Sequence, residues 1–429
     1  MDRVLIVGGG ASGVLVAINL SRLARTETSV VIADPSTFLG RGVAYGTSDP
    51  AHLLNVPAGR MSALVEEPNH FCDSLKLDAN TFAPRRDYAN YLLSTFVQEQ
   101  LRHPWAKFDH LKDRVLSIHK GPNNTFEAKF ERTPPLVFDK VVLALGQGKA
   151  ITNSGFPESL DQSKFILDSW RQEIGPFEGT LVCLGTGLTF IDHALAHIRS
   201  SAKNTVVGIS RTGLLPMPHL AKRAQPSEIP ASARLSPKAL RTFIESSADW
   251  RAAQDGARHI FPEIWFSWNS EQKSEFVKDD MRWWNVHRHR VSPEIQGELQ
   301  ESLDNGRVKV LADELATVSQ KFGRLDLNLK SGLTLQADKL INCLGYEPNG
   351  TGSLISSLID AGLAVEGPLG WGIRTCFPRY ELMNSASEME PGIFALGAIL
   401  LGERFETTAI PELRVQAKEI AEALVVPSR

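Results

Sequence analysis

Gly8, Gly10 and Gly13 stand in the spacing G-x-G-x-x-G, with Ala11 and Ser12 inside it, and Asp34 follows 34 − 13 = 21 residues after the last glycine. Residue types at this spacing can hold a dinucleotide. Glycines without Cβ atoms let a pyrophosphate approach the backbone. A following helix offers N–H groups and the positive end of its dipole, and the Asp34 carboxylate can accept ribose hydroxyls. A second set lies at Gly185, Gly187, Leu188 and Thr189, with Phe190 in the third glycine position and Arg211 where Asp34 stood in the first. The third glycine mainly permits close helix–strand packing, so its replacement shifts the helix and leaves the phosphate cradle in place. An acid at the strand end suits a free 2′-hydroxyl, whereas arginine suits a 2′-phosphate. The first set is therefore expected to bind FAD and the second NADPH.

Such residues need strand–turn–helix units to position them. Val4–Val7 and Val30–Ala33 read as strands flanking an apolar helix, and Thr180–Leu184 and Thr205–Ile209 flank a second helix over Ile191–Ile198. The apolar run Lys140–Leu145 ends at Gly146 and has an echo at Lys339–Gly345. A third such strand, Gly392–Gly397, leads past Thr408, a candidate N-cap, into a helix from Ile410 to Val425 with Pro411 and Glu412 in its first turn. The N-terminus of that helix can stabilise negative charge on a reduced flavin. The expected architecture is α/β, with two Rossmann-like dinucleotide-binding domains, the second inserted in the first. Residues 1–150 plus 335–429 form the discontinuous FAD domain, and 151–334 the NAD(P)H domain, with a helical, aromatic-rich insertion at about 213–301.

That insertion carries Phe261, Trp265, Phe266, Trp268, Trp283 and Trp284 beside His287-Arg288-His289-Arg290. It is expected to close over the substrate or the nicotinamide. Arg288 and Arg290 could clamp a carboxylate or phosphates, because guanidinium makes bidentate contacts to both, or form a basic surface stretch before Pro293. The tryptophans read as core more readily than as a substrate cage. His219 could approach the nicotinamide or form a hinge, and His52 precedes Asn55; each also reads as a structural histidine satisfied by backbone.

The 429 residues suffice for two or three domains, and 42 % hydrophobic with 22 % charged residues is ordinary globular usage. A net charge of −3 makes no case for nucleic acid. Cys72, Cys183, Cys343 and Cys376 form no C-x-x-C pair, which argues for reduced thiols and against a metal site or a disulfide reductase. With no apolar run near the ~20 residues that span a bilayer, and a core strand starting at Val4, the expectation is a cytoplasmic protein without a membrane partner.

Over essentially its whole length the chain resembles a group of FAD/NAD(P)-binding flavoproteins that includes N-hydroxylating monooxygenases of the L-aspartate type and a flavin-dependent urate hydroxylase. The matching stretches are Gly8–Gly13, Gly40–Thr47 with Arg41, His52–Pro57, Gly185–Thr189, Leu214–His219, His287–Arg290 and Glu406–Arg414. The resemblance implies flavin contacts at Gly8, Gly10, Gly13 and Asp34, with Asn55 and Met61 approaching the ring. Many related flavoproteins end the third strand with Gly-Asp; here Gly397 is followed by Ala398, so that ribityl contact is missing or supplied elsewhere.

The implied activity is that of an FAD-dependent, NADPH-using monooxygenase acting with oxygen on a small polar substrate such as an amine, amino acid or nitrogen heterocycle. Reduced flavin traps oxygen at C4a as a hydroperoxide, which requires a dry pocket more than a special nucleophile. Asn55, His52, His219, Arg288 and Arg290 are the candidate catalytic residues. A flavin reductase or dehydrogenase with a non-oxygen acceptor, and a non-catalytic cofactor-binding protein, stand as alternatives.

Overall fold

The computed structural model describes residues 2–152, 155–156, 161, 163–220, 225–348 and 353–426. From the N-terminus, β1 (Asp2–Val7), helix α1 (Ala11–Leu23) and β2 (Thr28–Ala33) form the first unit; α2 (Arg85–Arg102) then leads to β3 (Ala106–Leu111). A small antiparallel sheet of β4 (Val115–Lys120), β5 (Phe126–Phe130) and β6 (Leu136–Phe138) precedes β7 (Lys140–Leu143). The second unit comprises β8 (Phe165–Ile166), β9 (Thr180–Leu184), α3 (Leu188–Ser200) and β10 (Thr205–Ser210). Helices α4 (Pro237–Ser246), α5 (Trp250–His259), α6 (Phe261–Ser267), α7 (Ser270–Glu275), α8 (Met281–Arg288) and α9 (Pro293–Asp304) follow. After them come β11 (Val308–Ala312), β12 (Leu315–Lys321), β13 (Arg324–Leu329), β14 (Thr334–Ala337), β15 (Lys339–Asn342), α10 (Ser353–Asp360), β16 (Glu381–Met383), β17 (Met389–Ala395) and α11 (Ile410–Val425).

The first large sheet has the order β16-β17-β7-β1-β2-β3 and is parallel except for the β16–β17 pair. Its central strands are near-continuous apolar runs, as strands covered on both faces must be. Val7 is in register with both Ala33 and Leu143, so the segments after β1, β2 and β7 emerge at one edge. The second sheet, β11-β10-β9-β15-β8, is parallel throughout, with Leu184 level with Ile209 and Asn342.

Three expectations need correction. The strand at 339–342 belongs to the second sheet, between β9 and β8, so the chain does not return to the first sheet at about 335. Its likeness to Lys140–Leu145 reflects an equivalent role in the other sheet, next to the strand that opens the glycine loop. The insertion also ends earlier than 301. Ile295 and Leu299 of α9 are buried in the core of the second sheet together with Phe190 and Ile198, as a crossover helix between β10 and β11. Finally, Ala409, not Thr408, caps α11, and no side chain caps that end.

The insertion proper has its own core, in which Phe261, Trp265, Trp268, Phe276 and Trp284 pack with Phe405 from the C-terminal segment. Trp265 and Trp284 are fully buried, so most of the aromatics are core. Among the described residues no helix is long and apolar enough to cross a membrane.

Candidate active site

At the first sheet edge, β1 turns through Gly8, whose φ of +103° places it in the region that favours glycine. A Cβ on Gly8 would sit 2.2 Å from the Ala144 carbonyl oxygen, and one on Gly13 would sit 2.0 Å from the Gly8 oxygen. These two glycines let loop, helix and strand close on one another. Gly10 caps α1 without a side-chain hydrogen bond, so the first-turn amides of Ala11 and Ser12 are available for an anion. Asp34 borders the loop: its Oδ2 accepts from Gly9 N at 2.6 Å and its Oδ1 from Ser36 N at 2.7 Å. The Gly42 Cα lies 3.6 Å from a Cβ built on Gly10, so the Arg41–Gly42 turn runs across the loop; the exposed Arg41 guanidinium stacks 4.4 Å over Phe38. A Cβ built on Gly397, at φ +78°, would lie 3.4 Å from Ser12 Oγ and 3.2 Å from Leu413, which brings the segment before α11 onto the same loop. Its amide donates to Gln416 Oε1 at 3.0 Å, while Ala398 beside it is buried. Gly146 follows β7 in the left-handed region and is exposed.

The second loop repeats the design. A Cβ on Gly185 would lie 2.5 Å from the Cys343 carbonyl oxygen, whereas one on Gly187, the uncapped start of α3, would meet nothing within 4 Å. Phe190 is fully buried, and the room it needs comes from Gly208 on β10, where a Cβ would stand 2.7 Å from the ring. The lost glycine thus reappears on the neighbouring strand. Arg211 is exposed at the end of β10. Arg282, on α8 of the insertion, reaches this loop and donates to Thr186 Oγ1 at 2.8 Å. Burial and the charge of Arg211 lower the Arg282 pKa. The sequence alone assigned Arg282 no role. Thr189 Oγ1 accepts from Trp170 Nε1 at 3.2 Å.

Between the folds, His219 Nε2 donates to the Asn55 carbonyl at 3.0 Å, so these two candidates meet through the backbone. Met61 is buried in the core of the first sheet. His52 turns to Thr47 Oγ1, 2.7 Å from its Nδ1, and to the rings of Trp170 and His193. Arg288 and Arg290 are no substrate clamp. Both are buried in ion pairs, Arg288 Nε at 3.0 Å from Glu406 Oε2 and Arg290 Nη2 at 3.0 Å from Asp255 Oδ1. Nor are they a surface stretch.

A cavity of about 740 Å³ runs along the outer side of the first turns of α11, facing the insertion. Arg60, Arg258 and Arg414 line it, together with Glu406, Glu412 and Glu419. Arg258 Nη2 lies 2.6 Å from Glu412 Oε1, while its buried Nε makes no hydrogen bond. Burial alone would raise the Glu406 carboxyl, but Arg288, Arg258, His289 and the Trp284 indole N–H bring it down to about 2. His289 is lowered to about 4 by burial and by Arg288. Glu406 was visible only as the first residue of a matching stretch; Arg60 and Arg258 carried no signal of their own. Among the described residues no group of three or more His, Cys, Asp or Glu side chains could hold a metal ion.

These two parallel sheets, each with a glycine loop at one edge, define a flavoprotein fold of the two-dinucleotide type. A protein-family model described as FAD-NAD(P)-binding matches residues 5–148. The whole chain is similar to solved structures of ornithine N-hydroxylase from Kutzneria sp. 744 (TM-score 0.67, 13% identity, 99% of each chain covered) and ornithine hydroxylase from Pseudomonas aeruginosa (0.67, 14%, 99% of each). It is also similar to L-lysine 6-monooxygenase from Pseudomonas syringae (0.64, 15%, 99% of each). At such identities the likeness establishes the fold. No curated protein matches the chain.

Proposed function

We propose that this protein is an FAD-dependent, NADPH-using monooxygenase that hydroxylates the amine nitrogen of a small amino acid or related polar amine. The observation that carries the substrate class is the cavity against α11, where four arginines and four glutamates offer partners for both ends of a zwitterion. The relatives of known fold named above act on ornithine or lysine, which supports this reading. When bound, flavin and nicotinamide supply hydride transfer and oxygen activation. The chain's residues hold and shield them. The uncapped start of α1 binds the FAD pyrophosphate, and Asp34 the adenosine ribose. Arg211 and Arg282 take the 2′-phosphate of NADPH, and the uncapped start of α11 stabilises negative charge on the flavin.

The test is aerobic turnover of the FAD-loaded protein with NADPH and a panel of ornithine, lysine, aspartate and diamines. One member of the panel should give a hydroxylated product in proportion to NADPH and oxygen consumed. Turnover with an artificial electron acceptor but no oxygenated product from any member would overturn the proposal in favour of a reductase.

A further inference from the structure

Strand β3 closes one edge of the first sheet, and among the described residues no strand pairs with its outer side. The carbonyls of Trp105 and Leu111 turn inward and accept from Thr28 N and Asp34 N, each at 3.0 Å. Bonding direction alternates along a parallel strand, so Lys107 and Asp109 also serve β2. Ala106, Phe108 and His110 therefore direct their N–H and C=O groups outward. An open edge of this kind is a template for another strand.

Large apolar side chains gather beside it. Leu101 is 79% exposed, Trp105 48% and Val97 45%. Trp105 immediately precedes β3, and α2, which carries Val97 and Leu101, packs on the strand through Phe96, whose ring stands 5.0 Å from that of Phe108. Contiguous exposed apolar surface marks an interaction site.

The strand is also complementary to itself. Let two copies run antiparallel with Phe108 opposite the partner's Phe108. Ala106 then lies opposite the partner's His110, so the outward-facing residues meet as hydrogen-bonded pairs and exchange about six backbone bonds. Lys107 stands opposite the partner's Asp109, and Asp109 opposite the partner's Lys107, in the closer non-hydrogen-bonded pairs. The adjacent registers that still match outward-facing residues place Lys107 opposite Lys107 or Asp109 opposite Asp109. Like charges directly opposite are destabilising, so charge selects the first register. Lys107 Nζ lies 2.5 Å from Glu27 Oε1 in an exposed pair, and its three donors can serve a second carboxylate. Asp109 is exposed, and its carboxylate has no partner among the described residues.

We propose that β3 joins two copies of this chain about a two-fold axis at Phe108, so that the first sheet runs on from one protomer into the other, and that the second copy covers Val97, Leu101 and Trp105. The proposal stands apart from the proposed reaction.

Sedimentation velocity of the full, FAD-loaded chain over a micromolar concentration series tests it. The wild type should sediment as a dimer. Lys107→Asp and Asp109→Lys each turn two attractive cross-strand pairs into repulsive ones, and each should weaken dimerisation about tenfold or more. The double variant Lys107→Asp, Asp109→Lys restores opposite charges across the axis and should dimerise within a few-fold of the wild type. That recovery separates interface charge from misfolding and from loss of the Glu27 pair, neither of which the second substitution repairs. A monomer throughout the series, single variants that dimerise like the wild type, or a double variant as weak as the single ones would each overturn the proposal.

Discussion

Glu406→Gln is the most demanding perturbation of this architecture, because it removes one charge from a cluster of four, Arg258, Arg288, Glu406 and Glu412. The carboxylate is buried, 3.0 Å from Arg288 Nε and 3.9 Å from Arg258 Nε, and it accepts from Trp284 Nε1 at 2.8 Å. Its pKa falls from 4.5 to about 2. At 1.36 kcal/mol for each pH unit that difference is about 3 kcal/mol of stability. Burial also lowers Arg258, which opposes the pairing from the other side. The ionised carboxylate is still the state that wins, since two guanidiniums and an indole N–H converge on it. A folded pKa below the unfolded one means this stability is present above about pH 4.5 and is lost as the pH falls towards 2. Glutamine keeps the Trp284 acceptor and Arg258 keeps Glu412 at 2.6 Å, but Arg288 loses its counter-charge, and breaking a buried pair costs about 3–5 kcal/mol. Urea unfolding followed by tryptophan fluorescence reads this out, since Trp265 and Trp284 belong to the same core. A loss below about 1 kcal/mol, the range of surface ion pairs, would refute the reasoning.

Other expectations follow from single contacts. Gly208→Ala places a methyl group 2.7 Å from the buried Phe190 ring and should cost about 1–3 kcal/mol in urea unfolding, with Phe190→Leu relieving part of it. Arg211→Ser should weaken NADPH binding in calorimetry by about tenfold to a hundredfold, the worth of a charge-assisted contact, and leave NADH unchanged. His193 stays neutral inside down to about pH 3. As pH falls below about 6.5 the unfolded chain takes the proton first, so stability drops by about 1.4 kcal/mol per pH unit. His193→Phe should flatten that acid limb of the stability profile.

Much of the fold was legible because its signals are local. Glycine spacing, an apolar strand before it and a polar residue at the end of the next strand all fall within about thirty-five residues. Phe190 shows where local reading stops. Its tolerance depends on Gly208, which is informative only once β9 and β10 are known to be parallel neighbours. Strand pairing likewise hid the membership of Lys339–Asn342, since a short apolar run fits either sheet. The arginines were misread for a similar reason. Arg288 and Arg290 resemble a clamp when their partners are unknown, but Glu406 lies 118 residues away and Asp255 lies 35. Arg282 and Arg258 became meaningful only when the insertion was seen to lie against Thr186 and against α11.

Anaerobic stopped-flow reduction of the FAD-loaded protein tests the pairing of the two nucleotide sites most directly. NADPH should bleach the flavin absorbance fully, and much faster than NADH at equal concentration, with Arg211→Ser narrowing the difference. Flavin that stays oxidised in the presence of either nucleotide would contradict the account.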